Sequence, residues 1–340
     1  MNYISRFARN AAAIGVTALL SATPTFSANS TYNPAGVEYG QRSVPAQKPA
    51  PKPAQAPSAS LEQKNDAYFK SLRTSRHLNS TDLLYMTAYD IDTGERLVSI
   101  NEDSQVMAAS TIKDFVMLAY YDQVQRGAIR ENSRDNNLIR AMIQRSRNSA
   151  TNQIINRIGG PARVESILSA RYPYFNETDI IETIPRDGRT YRNKTSTHDL
   201  NIFDNQLWHN GFPLRRDLQE KMKSHLAAPK TDRLFDKTCI PKGMQVWNKT
   251  GTVYGQVSDS GILRFRDKNG KYHQYALSIV IEDPTKTNPK NRVESLDSWR
   301  DKRAEVIRSI SEGVYDYMAT RYNGGYMCKQ HKGVHLGGRQ

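Results

Sequence analysis

Three short motifs follow one another along the chain: Ser110-Thr111-Ile112-Lys113, Ser146-Arg147-Asn148 and Lys249-Thr250-Gly251. A serine hydroxyl is a poor nucleophile until a nearby base takes its proton. Residues three apart on a helix share a face, so Lys113 can reach Ser110. A nucleophile at a helix N-terminus also has backbone N–H groups beside it, which can hold an oxyanion. Taken singly, each motif has an ordinary explanation. A Ser and a Lys three apart arise by chance, Ser146 and Asn148 are both good helix caps, and Lys249 could be a strand-edge lysine. As an ordered set they describe a serine acyl-transfer site.

Elements must bring these motifs together. The spacing predicts a helix over 61–75, then two strands, Leu83 to Asp92 and Arg96 to Asn101, turning at Asp92-Thr93-Gly94-Glu95. Residues 110–127 read as a helix that is apolar nearly all round (Phe115-Val116-Met117-Leu118-Ala119-Tyr120-Tyr121) and therefore buried. Helical patterns continue to about Leu168. A loop of polar and turn-forming residues runs from Arg171 to Thr195, and helices follow over 197–209 and 215–226. Strands return at 244–252, 257–266 and 272–282, and a long helix spans 297–320. Strands at both ends with helices between them predict an α+β fold: an antiparallel sheet built from both chain ends, a helical lobe, and a cleft between the two.

The chain has 340 residues and a formal net charge of +14. Residues 1–28 read as a secretory signal, with Arg6 and Arg9 ahead of a short apolar run and small residues near Ser27 and Ala28. That run is too short to span a bilayer, so contact with the membrane is expected only through the signal. Residues 29–60, rich in Pro and Ala, read as a linker, 61–320 as the globular domain, and 321–340 as an irregular basic tail. The expected location is periplasmic or secreted, and the domain is expected to be a monomer. Export argues against nucleic acid as the partner of so basic a protein; peptidoglycan and acidic lipid surfaces fit better. The two cysteines, Cys239 and Cys328, permit one disulfide or two thiols. The seven histidines form no H-E-x-x-H, and nothing in the chain asks for a metal or a cofactor.

The motifs and their surroundings resemble the class A β-lactamase family of penicillin-recognising serine enzymes over roughly residues 61–320. Tyr89 to Glu95 resembles the family's first hairpin, Ala108 to Lys113 its nucleophile turn, Met142 to Asn156 its S-x-N helix pair, and Pro185 to Arg189 the end of its omega loop. The resemblance implies that Ser110 is the nucleophile and that Lys113 activates it. Ser146 would pass a proton to the leaving nitrogen, and Asn148 would hold the substrate amide. Lys249, Thr250 and Gly251 would form the strand that takes the substrate carboxylate, and the amides of Ser110 and Thr252 the oxyanion hole. Counting back from Ile184-Pro185 puts Glu177 where the family has its deacylating glutamate. It also puts Ile181 where the family has an asparagine that holds the hydrolytic water, and Val257 where many members have an arginine. In the family fold the closing helix packs on the motif strand's sheet, which implies a Cys239–Cys328 bridge. The first two motifs stand closer together than in lactamases, which implies a more open cleft.

The implied activity is opening of β-lactam amides through a Ser110 acyl-enzyme. D,D-carboxypeptidase or endopeptidase action on peptidoglycan stem peptides is the alternative, and a non-catalytic cell-wall binding module the third reading. An intact S-x-x-K counts against the third.

Overall fold

A computed structural model describes residues 57–325 and Cys328. The expected signal, nearly all of the linker and most of the tail lie outside the described residues. The first helix, α1 (Pro57–Thr74), begins four residues before the expected domain start, so the linker assigned to 29–60 ends earlier than read. The hairpin follows as β1 (Leu83–Asp90) and β2 (Glu95–Ile100), with Gly94 at φ +72° supplying the left-handed turn position. A short strand β3 (Val106–Met107) and a single 3-10 turn (Ala109–Thr111) lead into α2 (Ile112–Gln125).

Helices α3 (Ser133–Gln144), α4 (Asn148–Ile158) and α5 (Pro161–Arg171) come next. After the long loop are β4 (Lys194–Thr195), α6 (Thr197–Trp208) and α7 (Arg216–Ala227). The chain then forms β5 (Gln245–Val253), β6 (Gln256–Arg266), β7 (Tyr272–Glu282) and, after two 3-10 turns, α8 (Leu296–Arg321).

The five long strands form one antiparallel sheet in the order β2-β1-β7-β6-β5, so strands from the two chain ends meet where β1 pairs with β7. Residue parity explains why both faces are buried. Leu263, Phe265, Tyr275, Leu277, Ile279 and Ile281 join the core that contains Trp299, Ile307, Ile310 and Val314 of α8. On the opposite face Ser260 and Ser278 meet Asp204 and Asn201 of α6. The second core is helical: α2 is buried along most of its length and carries Phe115 against Phe175 and Phe203. The two-residue ladder β3–β4 had no counterpart in the sequence pattern; two residues are too few to show a period.

Candidate active site

Ser110 lies in the 3-10 turn at the head of α2, half-buried, with Lys113 one turn on. The turn is backed by Thr111, whose Oγ1 donates to the Ala108 carbonyl at 2.6 Å. β5 rests directly on it. A Cβ on Gly251 would lie 2.3 Å from Ser258 Oγ, 3.3 Å from Thr111 Cγ2 and 3.4 Å from the Ala108 oxygen. The glycine of Lys249-Thr250-Gly251 is thus what lets the motif strand approach the nucleophile turn, and the Thr252 amide follows it on the same strand.

Ser146 lies between α3 and α4 at φ +51°, and Ala109 just before the nucleophile is at φ +46°. Left-handed backbone in non-glycine residues is strained by about 1–3 kcal/mol each and concentrates at functional sites. The helix-cap explanation of Ser146 and Asn148 does not hold. The N-cap of α4 is Arg147, without a side-chain cap bond, so both neighbouring side chains are free for other work.

That work is to surround Lys113. Its Nζ is 2.7 Å from Ser110 Oγ, 2.8 Å from the Ser146 carbonyl, 3.0 Å from Ser146 Oγ and 3.0 Å from Asn148 Oδ1. Lys249 Nζ approaches the same Ser146 Oγ at 3.2 Å and donates to the Thr250 carbonyl at 2.7 Å. The structure therefore joins Ser110, Lys113, Ser146, Asn148 and Lys249 in one hydrogen-bond network. Burial, reinforced by the charge of Lys249, pulls the Lys113 pKa down to about 6, so at neutral pH it is largely an amine. Burial also lowers the Lys249 pKa, with Asp114 and Asp259 opposing the shift.

The Glu177 backbone is fastened away from this network. The Glu177 amide donates to Asp199 Oδ2 of α6 at 2.9 Å, and its carbonyl accepts from Gln105 Nε2 at 3.3 Å. Ile181 is 48% exposed, with its amide donating to Asn193 Oδ1.

A later stretch of the loop lies along the S-x-N helix. Asn152, one turn beyond Asn148, brackets Ile184: its Nδ2 donates to the Ile184 carbonyl and its Oδ1 accepts the Ile184 amide, both at 2.8 Å. A Cβ on Gly188 would be 3.4 Å from Asn148 Nδ2. The loop therefore brings residues 184–188 alongside Asn148 and Asn152. Counting along an aperiodic loop could not find this, although Asn152, four residues after Asn148 on one helix face, was visible as a candidate anchor.

Arg233 was also missed. It enters from the connection between α7 and β5, is buried, and donates to the Gly251 and Ser258 carbonyls and, at 2.6 Å, to Thr252 Oγ1. Val257 is fully buried opposite Thr252 and offers no charge. Arg233 puts a guanidinium against Thr252 without any local motif to announce it.

A serine–lysine pair at the head of a buried helix, a serine from the helical lobe and a lysine strand from a five-stranded antiparallel sheet define the penicillin-recognising class of serine acyl-transfer folds. The β-lactamase enzyme family profile matches residues 77–134 and 135–318, and the chain belongs to that family. No match was found among curated proteins. Among solved structures the chain is similar to PBP-A (TM-score 0.61, 20% identity, covering 79% of this chain and 99% of that one). It is also similar to the TLA-1 extended-spectrum β-lactamase (0.62, 18%, 77% and 99%). The chromosome-encoded β-lactamase of Vibrio parahaemolyticus is a further neighbour (0.61, 18%, 75% and 99%).

Proposed function

We propose that this chain is an exported serine D,D-peptidase that acts on peptidoglycan stem peptides, and that β-lactams acylate Ser110 and leave it slowly. The acylating half follows from the lysine network. A neutral Lys113 has two protons, and the Ser146 carbonyl and Asn148 Oδ1 are acceptors only, so both protons have a destination. Its lone pair is then left for the Ser110 proton as Oγ attacks the amide carbonyl. Ser146, held between Lys113 and Lys249, is placed to hand a proton to the leaving nitrogen. Lys249, Thr250 and Thr252, with Arg233 behind them, offer a cationic seat for the substrate carboxylate.

The observation that favours a peptidase over an efficient lactamase is the loop beside Asn148. Hydrolysis of a penicilloyl-enzyme needs a base within hydrogen-bond reach of water, roughly 2.6–3.2 Å. The residue that Asn152 pins there is Ile184, and the Glu177 backbone amide donates to Asp199 of α6. The one carboxylate in the 184–188 stretch, Asp187, is exposed and occupied with Arg189. A solved structure of a PBP-A variant holds an acyl-enzyme with penicillin G, so the fold accommodates such an adduct. The reading as a β-lactam hydrolase keeps the support of family membership.

Intact-mass measurement over time with a labelled penicillin, beside release of D-alanine from a stem pentapeptide, separates the readings. A lasting adduct with D-alanine release is expected. Turnover without an adduct would make the chain a lactamase, and no reaction with either compound would make it a binding module.

A further inference from the structure

The long loop before β4 returns to the nucleophile turn at a place that the chemistry above does not use. Met107, Ala109 and Val253 form a small buried cluster of their own, and the half-buried Tyr191 packs against it. Two members of that cluster flank the amides that would hold an oxyanion. Ala109 immediately precedes Ser110, and Val253 immediately follows Thr252. Whatever sets the spacing of Ala109 and Val253 therefore sets the spacing of the Ser110 and Thr252 amides. Ala109 is also at φ +46°, and a non-glycine residue stays in that region only where its surroundings hold it there.

Tyr191 is itself held in place. Its hydroxyl accepts from Arg292 Nη2 at 3.0 Å. Arg292 comes from the connection between β7 and α8, where its Nε donates to the Lys286 carbonyl at 2.9 Å and its Nη2 to the Thr287 carbonyl at 3.0 Å. Its guanidinium lies 4.5 Å from the centre of the Tyr254 ring, and Tyr254 stacks on the buried Trp299 of α8. The turn between β5 and β6 closes on the same cluster, since a Cβ on Gly255 would be 3.4 Å from Met107 Cε. The backbone leading into the nucleophile turn is tied separately: the Met107 amide donates to Glu282 Oε2 at 2.9 Å and the Ala108 amide to the Asn193 carbonyl at 3.0 Å.

We propose that Tyr191 is a positioning residue for the oxyanion hole: its ring, clasped by Arg292, keeps Ala109 and Val253 together so that the Ser110 and Thr252 amides converge on one point. This rests on the reading of Ser110 as an acylated nucleophile. As Ser110 Oγ bonds to the acyl carbon, the carbonyl oxygen takes up an electron pair. It returns that pair when the bond to the leaving group breaks and the leaving group departs with a proton from Ser146. Amide donors aimed at that oxygen help most while it carries charge, so their spacing acts on the rate of acylation rather than on substrate affinity. Tyr191 acts through the residues beside the two amides.

The test compares acylation by a matched pair of N-acyl-D-alanyl esters, an oxoester and its thionoester, followed by intact mass. Sulfur is larger than oxygen and a poorer hydrogen-bond acceptor, so the ratio of the two rates reads the hole itself. Tyr191→Ala should lower that ratio roughly tenfold, with the half-saturating ester concentration within about twofold of wild type. Tyr191→Phe keeps the ring on the cluster and loses only the bond from Arg292, so it should lower the ratio about threefold. Arg292→Gln should do the same, and no more when added to Tyr191→Phe. Oxoester and thionoester rates that fall together in Tyr191→Ala would reduce Tyr191 to a structural residue and overturn the proposal. A loss on Arg292→Gln that is undiminished in the Tyr191→Phe background would overturn the clasp.

Amide hydrogen exchange gives a measurement that stands apart from acylation. In Tyr191→Ala, exchange over residues 107–113 and 250–255 should rise roughly fivefold while β1 and β7 keep their wild-type protection. Unchanged exchange in both segments would overturn the proposal whether or not Ser110 reacts, and so would a rise spread equally over β1 and β7. If exchange rises in the two segments but the wild type is acylated by neither ester, it is the reading of Ser110 that fails.

Discussion

Lys113 makes four polar contacts within 3.0 Å, and only its neutral form has a lone pair left to accept the Ser110 proton. This fixes the pH dependence of acylation. Lys113 must be neutral, so the rate rises through its pKa of about 6. Lys249 must be charged to hold a carboxylate, so the rate falls as pH passes its pKa, which burial sets below the ordinary lysine value of about 10.4. A bell with its acid limb near pH 6 is expected in the second-order rate of penicillin labelling. A rate flat from pH 5 to 9 would remove Lys113 from the role of base. Ser110→Ala should abolish labelling with the melting temperature intact, and labelling at the wild-type rate would remove Ser110 as nucleophile. The motif residues were legible in the sequence because their geometry is local: Ser110 and Lys113 share one helical turn, and Ser146 and Asn148 flank a helix start. Arg233 was not legible, because it reaches Thr252 from a different part of the chain.

At the scale of elements, the proposed slow release of the acyl-enzyme turns on the loop between α5 and β4. It has no repeating pattern, and its course is set by side chains reaching in from α4 and α6 and by Asn193 at its own far end. Asp199 takes the amides of Asn176 and Glu177, Asn193 takes those of Ile181 and Glu182, and Asn152 takes that of Ile184. Such anchors depend on the assembled fold, which is why counting along the loop could not show that Ile184 is the residue held against the S-x-N helix. In a slowly releasing peptidase Glu177 has no part in release. Glu177→Ala should therefore leave both labelling and release within about twofold of wild type, less than 1 kcal/mol. Suppressed release in that variant would return Glu177 to the mechanism. Asn152→Ala should instead cost about 2–3 kcal/mol, because it leaves the Ile184 amide and carbonyl without partners. Chemical denaturation measures the difference, and an unchanged midpoint would mean that the loop is held without Asn152.

The whole molecule is fastened where its two chain ends meet. The β1–β7 pairing was implied by strands at both ends of the sequence, and the structure bears it out along the whole of β1. The fastenings beside it were less visible. Arg303 of α8 forms a two-pronged pair with Asp82, just before β1, at 2.6 and 3.0 Å, both residues being wholly buried. Nothing local in the sequence joins two residues so far apart. Arg303→Met should cost about 3–5 kcal/mol, chiefly because Asp82 would stay buried without its partner.

The cysteine bridge, by contrast, was implied by the family resemblance and is formed, joining Cys239 and Cys328 across 89 residues. Its loop encloses β5, β6, β7 and α8, and each cysteine amide is held by an α8 carboxylate. Cys239 donates to Glu312 Oε1 at 2.9 Å and Cys328 to Asp316 Oδ1 at 2.8 Å, from acids one helical turn apart. The bridge therefore clamps the start of the motif strand and the chain beyond α8 to the same side of that helix. On chain-entropy grounds it contributes about 3–5 kcal/mol. Reduction and alkylation should lower the melting temperature by roughly 10 °C for a domain of this size. Below the new transition, Ser110 labelling should be unaffected, since the lysine network is fastened by α2, α4 and β5 rather than by the bridge. An alkylated protein that melts with the oxidised one would show that the α8 carboxylates alone hold both ends. One that keeps its melting temperature but loses labelling would mean that the bridge acts through the connection carrying Arg233, six residues before Cys239, and not through stability.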